Sequence, residues 1–157
     1  MDPWYYEMNE LGFNYRLTDI QCALGLSQLK KLDQFCSRRH EIAKKYDNAF
    51  KNTSIRPLYK YDGNSSYHLY VVQVDFMKLN FNKKVLFEKL KKENIGVQLH
   101  YIPINKQPYY QQLGFGNEYT PNMDKYYSES FSIPMYASLI NEEQDYVIKL
   151  LLDLVHE

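Results

Sequence analysis

The sequence predicts an α+β domain in which helices pack on one face of a small antiparallel sheet. Three observations point there. Apolar residues recur at three- and four-residue steps in four separate segments. β-forming residues crowd one short run, Leu69, Tyr70, Val71, Val72 and Val74. The elements read in order as helix, helix, strand, helix, strand, irregular stretch, helix, with no internal repeat, low-complexity tract or linker. A chain of 157 residues suits one domain, so 1–157 is read as a single unit, long enough to bury roughly 68–70% of the surface its unfolded form exposes.

The opening segment, 1–17, carries Trp4, Tyr5, Tyr6, Phe13 and Tyr15 around Gly12 with no sustained period, and reads as irregular. Thr18 and Gln21 have capping-box spacing, so a helix is predicted from about residue 19, with Ile20, Ala23, Leu24, Leu29 and Leu32 on its apolar face. Gly25 within it is read as permitting close helix approach. A second helix is predicted from Asp33 to about Phe50, with Phe35, Ile42, Ala43, Tyr46 and Phe50 as its stripe. Asn52 to Ser66 reads as a loop, marked by Pro57 and the Asp62-Gly63-Asn64 turn signal. His68 to Asp75 is the clearest strand. Asn82 to Glu93 reads as an amphipathic helix with Val85, Leu86 and Leu90 inward, and Ile95 to Tyr101 as a second strand entered through Gly96. From Ile102 to Pro134 the prolines at 103, 108, 121 and 134 leave room for short helices only, after Pro108 and Pro121. Asn141 and Gln144 repeat the capping spacing before a closing helix whose inner face is Tyr146, Val147, Leu150, Leu151 and Leu154.

Nineteen basic residues balance nineteen acidic ones, so no global field recruits nucleic acid or an anionic membrane. The start, Met1-Asp2-Pro3-Trp4, has neither a basic n-region nor an apolar h-region, and apolar runs are short; the expected location is the cytoplasm. Cys22 and Cys36 both fall in helical pattern and read as reduced, partly buried thiols. Sixteen tyrosines and eight phenylalanines suit sugar or nucleotide contacts, subunit interfaces or ordinary half-buried positions alike. His40, His68, His100 and His156 show no metal-ligand pairing, and neither a Gly-rich phosphate loop nor a nucleophile elbow is present.

Two segments carry a specific resemblance. Residues 11–32, LGFNYRLTDIQCALGLSQLKKL, are similar to the stretch that follows the cofactor-lysine region in the DegT/StrS-like sugar aminotransferases of fold type I. Residues 95–110, IGVQLHYIPINKQPYY, resemble the same family's later active-site segment, and the order and separation of the two also match. The resemblance implies the C-terminal small domain of such an enzyme, with pyridoxal 5'-phosphate as cofactor. Within the family the first segment looks most like members that aminate a UDP-linked 4-keto-6-deoxy sugar, with glutamate as donor, in pseudaminic acid or related surface-glycan synthesis.

The resemblance also implies roles for four residues. Asn14 stands where the family's asparagine reaches across a homodimer to the neighbouring subunit's cofactor phosphate; read without it, the amide stabilises the turn before Thr18. Arg16 would face the cofactor phosphate or the substrate diphosphate, the alternative being a surface ion pair. His100 and Tyr101 take the substrate-facing position at the end of the second predicted strand, where an imidazole and a phenol suit diphosphate or sugar hydroxyls. Many relatives have a second histidine two residues after the proline of this segment; Asn105 stands there, which puts an acid-base role at 105 in doubt.

Transamination needs a lysine amine on the cofactor carbonyl, and by the resemblance that lysine and the acid facing the pyridinium nitrogen reside on a domain preceding residue 1. None of the fifteen lysines here lies in a Ser/Thr-rich loop followed by Gly-rich sequence, so no catalytic residue is nominated. The expectation is a C-terminal portion inactive by itself. The alternative is a free-standing protein-interaction module using its aromatic surface. An RNA-binding domain with stacking tyrosines is weaker, because no basic stripe accompanies the aromatics.

Overall fold

A computed structural model describes residues 2–156; the side chain of His156 lies outside that description. The chain divides into a first unit ending at Asp33 and a second beginning at Gln34.

In the first unit, residues 2–17 form neither helix nor strand. The rings of Phe13 and Tyr15 stack with centroids 5.2 Å apart. Helix α1 (Asp19–Leu29) starts where the capping signal places it: Thr18 Oγ1 accepts from the Gln21 amide while Gln21 Oε1 accepts from the Thr18 amide at 2.8 Å. None of its residues is buried. Cys22 is exposed rather than partly buried, because it rides on this uncovered helix; Cys36 is half-buried. Apart from its chain neighbours and the backbone of its own helix, no atom of the described residues comes within 4 Å of where a Cβ at Gly25 would lie.

The second unit holds the core. Helix α2 (Leu32–Ala49), whose first residues close the first unit, turns Ile42, Ala43 and Tyr46 inward. Tyr46 donates to the Pro134 carbonyl at 3.0 Å. The following stretch contains strand β1 (Ile55–Pro57), where the sequence read only a loop. Three residues ending in a proline carry no legible alternation. β1 pairs antiparallel with β2 (Tyr70–Val74), and β2 pairs antiparallel with β3 (Ser130–Ile133), giving the order β1-β2-β3.

β3 lies in the stretch read as irregular, and all four of its residues are buried. The register sets Ile55 opposite Val74, Val72 opposite Phe131 and Tyr70 opposite Ile133, so these six share one face. That face receives the helices. Tyr46 of α2 meets Tyr70 with ring centroids 4.9 Å apart, and Phe87 of α3 (Lys83–Lys92) meets Phe131 edge-on at 5.7 Å. Val147, Leu151 and Leu154 of α6 (Asn141–His156) complete the same core.

Helix α3 is capped at both ends. Asn82 Oδ1 accepts from the Val85 amide at 3.1 Å. Beyond its C-terminus Asn94 takes φ 59°, and the Ile95 amide turns back to the Leu90 carbonyl at 2.9 Å. Ile95 to Tyr101, read as a strand, pairs only through the single bridge Gln98 to Ser132. Side-chain bonds of Ser132 to the Gln98 carbonyl and to His100 take the place of a longer ladder. The prolines seed two short helices as expected, α4 (Pro108–Gln112) and α5 (Pro121–Glu129).

The second capping signal resolves differently. Gln144 is fully buried and donates to the Ile42 carbonyl at 2.8 Å, tying α6 to α2. Glu143 instead accepts from the Ile140 amide at 3.3 Å, and Asn141 Oδ1 accepts from Arg38. Tyr146, expected inward, is exposed, with its hydroxyl donating to Glu93.

Candidate functional site

Of the strand residues on the sheet face away from the core, Arg56, Gln73, Ser130 and Ser132 are polar and Val71 is apolar. Alternation along β3 sets Ser130 and Ser132 opposite in sense to Phe131 and Ile133. Gln73 of β2 donates to Ser130 Oγ at 3.2 Å, and Arg56 of β1 pairs with Glu129 at 2.8 Å.

Ser132 fastens the segment carrying His100 and Tyr101. Its amide donates to the Gln98 carbonyl at 2.8 Å, and its carbonyl accepts from the Gln98 amide at 3.2 Å. Its hydroxyl lies 3.2 Å from the Gln98 carbonyl and 2.8 Å from His100 Nε2. From the other side, the Tyr126 hydroxyl of α5 donates to the His100 carbonyl at 3.1 Å. His100 Nδ1 is buried with no partner among the described residues. The bond joining His100 to Tyr101 is cis. Tyr101 is 75% exposed, its ring set edge-on to the His100 ring at 5.0 Å.

Asn14 and Arg16 lie in the first unit, His100 and Tyr101 in the second. Asn14 and Arg16 form a tight turn, the Arg16 amide donating to the Asn14 carbonyl at 3.0 Å. Both side chains are exposed, and among the described residues neither makes a hydrogen bond or ion pair. Asn105 donates to Glu118, which also accepts from the Gly116 amide; these bonds, the one from Asn105 foremost, hold the Glu118 carboxyl below its ordinary range. Lys83 is the one lysine among the described residues whose amine is pushed below its ordinary range, by burial, and it donates to the Tyr127 carbonyl. No group of three or more metal-ligating side chains gathers among the described residues, and no helix there is long and apolar enough to cross a membrane.

Sequence reasoning missed Gln98, Tyr126 and Ser132. The Ser130-Phe131-Ser132-Ile133 alternation is a strand signal with one polar face, hidden by its brevity and by the adjoining Pro134.

This architecture, a three-stranded antiparallel sheet helix-packed on one face, is that of the fold-type I aminotransferases. It superposes on the pyridoxal-phosphate form of the putative sugar aminotransferase Spr1654 from Streptococcus pneumoniae with a TM-score of 0.82 at 27% identity, covering 98% of this chain and 39% of that one. Residues 1–152 match the model of the DegT/DnrJ/EryC1/StrS aminotransferase family, and the chain belongs to that family. It is 41% identical to the spore coat polysaccharide biosynthesis protein SpsC of Bacillus subtilis, over 97% of this chain and 40% of that protein. It is 36% identical to the UDP-4-amino-4,6-dideoxy-N-acetyl-beta-L-altrosamine transaminase of Campylobacter jejuni, over 98% of this chain and 41% of that protein. The chain thus spans about two fifths of the length of the relatives it matches.

Proposed function

We propose that this chain forms the C-terminal portion of a pyridoxal 5'-phosphate-dependent nucleotide-sugar aminotransferase. In this reading the enzyme moves an amino group from glutamate to a UDP-linked 4-keto-6-deoxy sugar, in the cytoplasm, for pseudaminic acid or related surface-glycan biosynthesis. The observation that carries the reading is the pair of uncommitted donors, Asn14 and Arg16, standing exposed just ahead of α1. A neutral amide and a planar guanidinium fit a phosphate: the first donates without adding charge, the second forms a fork of parallel N–H bonds. Asn14 would bind the cofactor phosphate across a homodimer, with Arg16 beside it. The exposed Trp4, Tyr6, Phe13 and Tyr15 support such a subunit contact. His100 and Tyr101 would face the sugar nucleotide. When bound, pyridoxal phosphate supplies the electron sink for amino transfer; these four residues bind and orient. The 157 residues alone are expected not to transaminate, because no lysine among them stands in a cofactor-holding setting.

A chimera tests this. Residues 1–157 replace the matching two fifths of the Campylobacter jejuni relative, and amino transfer from glutamate to its keto-sugar nucleotide is followed. Activity is expected, falling about 10- to 100-fold with Arg16→Gln, the effect of losing a charged hydrogen bond. A chimera that folds, dimerises and takes up pyridoxal phosphate yet transfers nothing would overturn the reading.

A further inference from the structure

The hydroxyl of Ser132 has a single proton, and the hydrogen-bond pattern around it fixes the state of the neighbouring histidine. The Gln98 carbonyl, 3.2 Å away, offers only lone pairs, so it is the natural acceptor of that proton. The serine lone pairs then face His100 Nε2 at 2.8 Å, and Nε2 carries the imidazole proton. The opposite arrangement, with serine donating to a bare Nε2, would put an N–H on Nδ1, which is buried without a partner. Nδ1 is unmet in either tautomer, but only Nε2–H leaves the serine proton on the Gln98 carbonyl, so two bonds form in place of one and the Nε2–H tautomer is preferred.

Neither ring nitrogen is therefore offered to a ligand: one is bonded to Ser132 and the other is enclosed. Three further bonds immobilise the same stretch, two between the backbones of Gln98 and Ser132 and one from Tyr126 to the His100 carbonyl. The next residue projects outward. Tyr101 is 75% exposed, leans edge-on against the fixed imidazole, and its hydroxyl has no partner among the described residues.

We propose that His100 is a positioning residue: its ring, clipped by Nε2–H to Ser132, is the rest that sets the direction of Tyr101, and the Tyr101 hydroxyl makes the polar contact with the sugar nucleotide. This division of labour rests on the reading of the segment as substrate-facing. The clip itself is readable without any ligand.

The experiment uses the 157-residue chain with labelled histidine and tyrosine rings. Long-range proton-nitrogen NMR spectra at neutral pH are expected to give the Nε2–H tautomer for His100; the Nδ1–H tautomer overturns the proposal. Ser132→Ala and His100→Ala should each displace the Tyr101 ring resonances, and Ser132→Ala should add nothing in the His100→Ala background. His100→Gln, whose amide reaches Ser132 with an N–H but which has no ring for Tyr101 to lean on, should leave them displaced; full restoration would show that the ring is not the rest. A Tyr101 spectrum untouched by Ser132→Ala but altered by His100→Ala would refute the clip. In titrations of the Campylobacter jejuni chimera with UDP-N-acetylglucosamine, Tyr101→Phe should weaken binding about threefold to tenfold, as for one neutral hydrogen bond, and His100→Ala by no more than that, with no additional loss in the double variant. If the nucleotide sugar moves neither residue, the substrate-facing reading fails and the contact assigned to Tyr101 falls with it, while the ligand-free spectra still decide the clip.

Discussion

Residues 2–33 and residues 34–156 are comparably rich in apolar side chains and treat them in opposite ways. In the first unit Trp4, Tyr6, Phe13, Tyr15, Ile20 and Leu24 are all more than half exposed, and α1 buries nothing. In the second, Tyr46, Val72, Leu86, Leu90 and Leu151 are fully enclosed. Amphipathic spacing thus marks which face of a helix is apolar. It does not say whether the same chain covers that face. Ile20, Leu24 and Leu29 obey the period as well as Ile42, Ala43 and Tyr46, yet only the latter have a sheet against them.

The sharpest way to break this contrast is a large-to-small change in the enclosed half. Phe131→Ala, removing the ring that contacts Phe76 and Phe87, is expected to cost about 3–5 kcal/mol of unfolding free energy, read by denaturant titration. A loss under about 1 kcal/mol would mean that the sheet face is not the packed centre.

An intermediate effect is expected from alkali. Burial, first among the causes, raises the phenols of Tyr46 and Tyr70 well above 10.0, and for Tyr70 the hydrogen bond to the Asp47 carboxylate adds to it. Above that pH the unfolded chain sheds both protons while the fold retains them. The folded state then binds more protons, so stability is fully present below the unfolded value and falls as pH rises past it. Thermal unfolding midpoints should drop between about pH 9 and about pH 11. The Tyr46→Phe, Tyr70→Phe double variant should drop less steeply, and equal slopes would refute the assignment.

The smallest effect belongs to the uncovered half. Leu24→Ser on α1 is expected to shift the unfolding free energy of the second unit by no more than about 0.5 kcal/mol. A core-sized loss in the same titration would show that α1 is covered after all.

What the sequence made legible follows local chemistry. Thr18 with Gln21, and Asn82 ahead of Val85, announce helix starts because their partners lie three residues away. β1 and β3, at three and four residues, are too short for their alternation to stand out, and their pairing depends on distant partners. Gln144 carries a capping pattern, yet its amide crosses to Ile42, 102 residues away, a bond no local window contains. At the candidate site the sequence singled out His100 and Tyr101. It could not separate their surroundings, since Ser132 lies 32 residues on in a strand it did not resolve.

The bridge from Gln98 to Ser132 also bears on how the protein behaves when crowded with copies of itself. It occupies the margin of β3 that faces away from β2. The other margin of the sheet is β1, three residues long and finished by Pro57, which has no N–H to donate. A strand from a second molecule arriving there meets a template too short to extend, so growth of this sheet by strand addition is blocked at both sides by geometry rather than by charge.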